Sequence, residues 1–292
     1  RKSKMAENFS TLLENRIASV GNPVCLGMDP VLKLIPAPGD TPEESIKRFY
    51  LDILEECVRR NVFPAVVKPN SAYYECISIQ ALQVLQELIA IYQKENIPVI
   101  LDAKRGDIGK SSAAYANAGF KVFGADAITV SPWMGTDSVG PFLNHEALGG
   151  VYVLLRTSNK GAMDFQDLPV AEKNKAFYAV GEKLVEWDNG NLGAVVGATN
   201  LEEMENITRF FVERGHEIPF LIPGVSIPGV PGGQGGDAVS VLRAIRNGGG
   251  KRNFHVLNSS SGLNFAWQAT NEPERYASLC VDALERLADS IR

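Results

Sequence analysis

The stretch PVILDAKRGDIGKSSAAYANAGF, Pro98 to Phe120, joins an apolar run, a charged loop and the start of a helical pattern. The run PVILDAK (98–104) is nearly all apolar until Asp102, as expected of a parallel strand covered on both faces. The same unit recurs along the chain. Equivalent runs are VCLGMD (24–29), AVVKPN (65–70), AITVSP (127–132), VYVLLRT (151–157), LGAVVGAT (192–199), FLIPGV (220–225) and FHVLNSS (254–260). Eight strand–helix units in 292 residues, a little above the ~250 typical of the fold, predict a (β/α)8 TIM barrel. A doubly wound open sheet competes, but it would need fewer strands or a second domain. No Pro/Ser/Gly linker divides the chain, so residues 1–292 are read as one barrel domain, with Met5 as the natural start and Arg1–Lys4 as a leading remnant.

Helical patterns fill the gaps. TPEESIKRFYLDILEECVRR opens with Thr41 as N-cap, Pro42 in the first turn and Glu44 at the capping-box position. YYECISIQALQVLQELIAIYQKEN carries Leu82, Leu85, Leu88 and Ile89 on one stripe. The Gly/Pro-rich segment PGVSIPGVPGGQGGD (223–237) follows the seventh run, where a barrel places an active-site loop.

Composition narrows the function. A net charge of −5 without long runs of one sign argues against a polybasic nucleic-acid surface. No apolar run approaches a membrane span, and RKSKMAENFS lacks the apolar core of a signal peptide. Cys25, Cys57, Cys76 and Cys280 form no CxxC pair and are read as buried free thiols of a reducing, intracellular compartment. His145, His216 and His255 stand far apart, which excludes a structural zinc site. Pro228 stands where a nucleophile elbow around Ser226 would need glycine.

The Gly109-Lys110-Ser111 end of the opening stretch looks like a phosphate loop. That loop needs glycine five residues earlier, and Lys104 is there. Lys110 is instead read as a solvated residue opening a helix. Asp102 and Lys104, two apart on a strand, face one side. A lone polar strand end is ordinarily a turn or cap, and Asp29, Ser131, Thr157, Ser158, Thr199, Asn258 and Ser259 provide such ends. Charges ending neighbouring strands at Lys68, Asp102 and Lys104 must be paired or used. With Asp107 they form a candidate chain of alternating charge, a poor stability device but a good electrostatic one.

DAKRGDI (102–108), with LGMDP, VKPNSAYYE, RTSNKGA and PGGQGGD in order, resembles the orotidine 5'-phosphate decarboxylase family from about Pro23 to Phe265, in the style of its longer bacterial-type members. The resemblance implies conversion of orotidine 5'-monophosphate (OMP) to uridine 5'-monophosphate (UMP) and carbon dioxide in pyrimidine synthesis, without metal or cofactor. It implies that Asp29 and Lys68 hold the ribose hydroxyls. By the same resemblance Asp102 would face the substrate carboxylate, and Lys104 would stabilise and protonate the C6 carbanion. Ser158 would contact the pyrimidine and Gln234 would bridge base and phosphate. Asp107, Ile108 and Ser111 would complete the site of a homodimer partner; the family more often has threonine at Ser111. Association or fusion with orotate phosphoribosyltransferase is a further implication. The compartment expected is the cytoplasm, with an organelle left open should a fused domain carry a targeting signal.

One position departs from the pattern. The family ends its last strand with serine-arginine-glycine, whereas NSSSGLNFA puts Ser261 at the arginine position. The amides of Ser260 and Ser261 remain to cradle phosphate. Losing one charge-assisted contact costs on the order of 1.5–3 kcal/mol, and Arg252, Lys251 and Lys160 are candidate replacements. Two rivals are weighed. A metal-dependent sugar-phosphate relative would need an acidic ligand where Lys68 stands. A non-catalytic nucleotide-binding protein would bind without turnover.

Overall fold

A computed structural model of the 292-residue chain describes residues 8–170, 174–227 and 235–291. All eight runs become strands: β1 Val24–Met28, β2 Val66–Pro69, β3 Ile100–Arg105, β4 Ala127–Val130, β5 Gly150–Arg156, β6 Leu192–Val196, β7 Phe220–Pro223 and β8 Val256–Ser259. Most are shorter than their apolar runs, because the C-terminal residues of most runs leave the ladder as loops; β3 instead starts two residues late and runs on to Arg105. The strands are parallel in the order β2-β1-β8-β7-β6-β5-β4-β3. Parallel bridges Val67–Val99 and Asn70–Asp102 join β2 to β3 and close the barrel.

The helices are α1 Phe9–Val20, α2 Pro42–Arg60, α3 Ile79–Lys94, α4 Gly109–Asn117, α5 Thr136–Leu143, α6 Ala176–Trp187, α7 Leu201–Glu213, α8 Ala238–Asn247 and α9 Tyr276–Ser290. Helix α2 starts as expected, with Thr41 Oγ1 accepting the Glu44 N–H at 3.2 Å, while Glu44 reaches back to the Asp40 N–H at 2.9 Å. The pattern from Tyr73 to Asn96 is not one helix. A short turn of helix, Ala72–Glu75, precedes α3, and Ser78 is extended at φ −172° with its side chain accepting the Ala81 N–H. That hydroxyl cap restarts the helix. Among the cysteines, Cys25, Cys57 and Cys280 are buried, but Cys76 is exposed; it terminates the short helix outside the core.

Two apolar layers result. Outward residues such as Leu26, Val67, Leu101 and Ile128 pack under the helices. Inward residues Cys25, Val66, Ile100, Ala127 and Tyr152 cluster with Phe9, Leu13 and Ile17 of α1. Helix α1 therefore plugs the N-terminal mouth, with Phe9 edge-on to Tyr152 at 5.8 Å. Side chains alternate along a strand. Two residues beyond the inward positions Cys25, Val66, Ile100 and Ala127 come Gly27, Lys68, Asp102 and Thr129. The inward columns are thus apolar near the plug and become polar toward the C-terminal mouth, where barrel enzymes work. Among the described residues no helix is long and apolar enough to cross a membrane.

Candidate active site

Register brings the charges together. Gly27 of β1 lies beside Lys68 of β2, and Asn70 bridges to Asp102 of β3. Asp102 is buried between two cations, with Lys68 Nζ 2.8 Å from its Oδ2 and Lys104 Nζ 2.6 Å from its Oδ1. A third donor, the Thr129 hydroxyl, reaches Oδ1 at 2.8 Å. Burial pushes the Asp102 carboxyl up, but the charges of Lys68 and Lys104 outweigh it and hold it far below the ordinary carboxylate range. Burial likewise lowers Lys68, yet Asp102 and Asp29 more than offset this and hold its ammonium above the usual lysine range. The central unit is therefore ammonium–carboxylate–ammonium.

Lys104 differs from Lys68. Its side chain is 47% exposed, against 5% for Lys68. Its backbone has φ +45°, a left-handed conformation costing a non-glycine residue about 1–3 kcal/mol. Strand β3 is irregular here: Leu101 pairs with Ile128 and Arg105 with Val130, so the register shifts between them. Asp102 and Lys104 do share a side as their spacing predicts, but through a bulge rather than a regular pleat.

Two cavities flank this unit. One, of 470 Å³, is lined by Asp29, Lys68, Asp102, Ser226, Asn258 and the Ser259–Gly262 loop, among others. The other, of 350 Å³, is lined by Lys68, Asp102, Lys104, Thr129, Ser158 and the apolar Leu154, Val195 and Leu221, among others. The expected residues Asp29, Ser260 and Ser261 thus meet in the first cavity and Ser158 stands in the second. Asp29 Oδ1 is buried without a hydrogen-bond partner; a carboxylate oxygen left so at a cavity wall is a ready acceptor for a ligand hydroxyl. Ser260 lies against β1 so closely that a Cβ on Gly27 would fall 1.9 Å from its Oγ. Asn264 ties the same loop down by donating to the Gly27 carbonyl at 2.7 Å.

Other expectations are not assembled here. Asp107 caps its own neighbour, accepting the Ile108 N–H at 2.7 Å; with exposed Ile108 and Ser111 it stands at the start of α4 and lines neither cavity. Gln234 lies outside the described residues. Arg252 and Lys251 cannot replace an arginine at Ser261. Their backbone N–H groups bond Glu217 at 3.0 and 2.6 Å, and the Arg252 guanidinium grips Glu14 of α1 at 2.8 Å by two nitrogens. They belong to the plugged mouth, ahead of β8. Lys160 does follow β5 at the open mouth. Among the described residues lining the first cavity, Lys68 supplies the cation. Sequence reasoning missed Thr129, Gly27 and Asn264, since a threonine within a strand or an asparagine in a helical turn carries no distinguishing pattern.

Comparison with known proteins gives the same reading. Residues 23–249 match the sequence model of the "Orotidine 5'-phosphate decarboxylase / HUMPS family". An orotidine 5'-phosphate decarboxylase of Haloarcula marismortui is 41% identical over 266 residues, 89% of this chain and 87% of that one. One from Delftia acidovorans is 38% identical over 272 residues, covering 89% and 90%. Among solved structures, Leishmania donovani OMP decarboxylase superposes with a TM-score of 0.72 at 30% identity, covering 97% of this chain and 99% of that one. Leishmania donovani UMP synthase gives 0.74 at 32%, with 98% of this chain spanning 57% of that longer one. With the family pattern matched over most of its length and the charged array built at the barrel mouth, the chain belongs to the orotidine 5'-phosphate decarboxylase / HUMPS family.

Proposed function

We propose that this chain converts OMP to UMP and carbon dioxide as one barrel domain, and the observation that carries the reading is Asp102 held between Lys68 and Lys104. Breaking the C6–carboxylate bond leaves an electron pair on C6 and releases carbon dioxide. A carbanion at C6 has little stabilisation of its own, so a fixed ammonium beside it is the fitting catalyst. Lys104, the more accessible of the two lysines, supplies that charge and gives one Nζ proton to C6; the amine regains a proton from water. Asp102, kept ionised by both neighbours, faces the leaving carboxylate and keeps Lys104 aimed.

The cavities suit the rest of the substrate. Asp29 and Lys68 take the ribose hydroxyls, the unpaired Asp29 Oδ1 supporting this. The ring lies in the cavity walled by Leu154, Val195 and Leu221 with Ser158 on its polar edge, and Gln234 spans base and phosphate. The loop of Ser260 and Ser261 receives the phosphate through amides and hydroxyls, with Lys160 as the remaining candidate cation. Catalysis runs without metal or cofactor, in the cytoplasm. The protein works as a homodimer in which Asp107, Ile108 and Ser111 enter the partner's site. Exposed Ile108, Met134, Trp133 and Phe165 support this, since Met134 lies beside Gly106 and Trp133 touches Phe165. Association or fusion with orotate phosphoribosyltransferase fits the likeness to the longer UMP synthase.

The test is OMP turnover in the presence of a chelator, beside Lys104→Ala. Turnover with metal removed and abolished by Lys104→Ala is expected. Tight UMP binding without turnover, or activity restored only by magnesium, would overturn the proposal.

A further inference from the structure

Strand β4 carries one hydroxyl inside an otherwise apolar Ala-Ile-Thr-Val run, and Thr129 is 1% exposed. It faces the irregular part of β3, where the pairing passes from Leu101–Ile128 to Arg105–Val130. The Lys104 N–H, turned off the ladder by its left-handed backbone, donates to Thr129 Oγ1 at 2.9 Å. The same oxygen donates to Asp102 Oδ1 at 2.8 Å. A hydroxyl has a single proton, so accepting from Lys104 leaves that proton directed at Asp102. Asp102 Oδ1 is also the atom that holds the Lys104 ammonium at 2.6 Å. The hydroxyl therefore fixes Lys104 at both ends, by its backbone directly and by its ammonium through the carboxylate.

We propose that Thr129 is a positioning residue for the reaction, holding Lys104 in its bulged backbone conformation and Asp102 in the rotamer that aims the ammonium. The inference rests on Lys104 as the group that meets the reacting carbon. It assigns Thr129 a role in turnover rather than in binding. Lys104 is half exposed and its long side chain has many rotamers; a small displacement of its anchor moves the ammonium out of reach of a developing charge.

Two variants and one spectroscopic measurement test this. Thr129→Val keeps the branched shape and removes the hydroxyl; Thr129→Ser keeps the hydroxyl. With Thr129→Val, kcat should fall about ten- to a hundredfold while KM for OMP and Kd for UMP stay within about threefold. Thr129→Ser should hold kcat within about threefold of wild type. Unchanged kcat in Thr129→Val, a fall in Thr129→Ser as deep as in Thr129→Val, or parallel loss of UMP affinity would each overturn the proposal. Amide hydrogen exchange followed by NMR gives an independent reading. The Lys104 amide should exchange slowly in the wild type and in Thr129→Ser; exchange at open-loop rates in the wild type would overturn the proposal even if Thr129→Val did not fold. Should the wild type not turn over OMP, the decarboxylase reading fails, while Lys104 protection still decides whether Thr129 holds the backbone.

Discussion

Asp102 illustrates how a single residue couples stability to charge. A carboxyl depressed in the folded state stabilises at every pH above the ordinary carboxylate range, and loses this only as pH falls through its low folded value. Lys68, raised in the folded state, contributes fully below the ordinary lysine pKa and loses its contribution as pH rises beyond it. The pair should therefore add no slope between about pH 5 and 9. In Asp102→Asn burial, the largest influence on Lys68, loses its main opponent, with Asp29 left to offset it, and the folded pKa is expected to drop below the unfolded one. The unfolded state then binds more protons, and stability must rise with pH. Asp102→Asn is expected to lose about 3–5 kcal/mol near neutrality, and the gap in Tm to wild type should narrow as pH rises toward the ordinary lysine pKa; a gap independent of pH would refute the coupling. These charges were legible in the sequence because ionic groups rarely end successive apolar strands. Thr129 was not, because a threonine in a strand is ordinary until its two hydrogen bonds are seen.

At the scale of elements, periodicity exposed the strands and the start of α2, where Thr41, Pro42 and Glu44 announce themselves in order. The break before α3 stayed hidden, since the apolar spacing runs on through Tyr73 to Ile79 while Ser78 caps in silence. The packing of the β8 loop on β1 was equally invisible: nothing in LGM declares that Gly27 must lack a side chain. Ser260 occupies the space a Cβ would take, and Asn264 draws the loop inward. Gly27→Ala should push Ser260 and Ser261 out of the first cavity. It is expected to cost about 1–3 kcal/mol of stability, as overpacking does, and to weaken UMP binding by about tenfold or more in calorimetry. Orotate, which lacks ribose and phosphate, should bind the variant and the wild type alike. Equal loss for both ligands would mean the whole mouth had collapsed.

At the scale of the molecule, the barrel divides its labour between two mouths. Helix α1 closes one with apolar side chains and the Arg252–Glu14 pair; the other carries the charges. That division explains why Lys251 and Arg252, near β8 in sequence, stand far from Ser261 in function. The open mouth still leaves Asp107 with its carboxylate turned to the Ile108 amide, beside an apolar rim with Trp133 78% and Ile108 54% exposed. A two-fold dimer uses the same patch on both subunits, so each site would draw Lys104 from one chain and Asp107 from the other. Lys104→Ala and Asp107→Ala homodimers should both be nearly inactive. In a mixed dimer, one site lacks both groups and the other has both. Random reassociation of equal amounts should therefore recover about a quarter of wild-type activity, as half the dimers are mixed and each has one whole site. If Asp107 served the site of its own chain, no whole site could form, and the mixture would stay as inactive as its components.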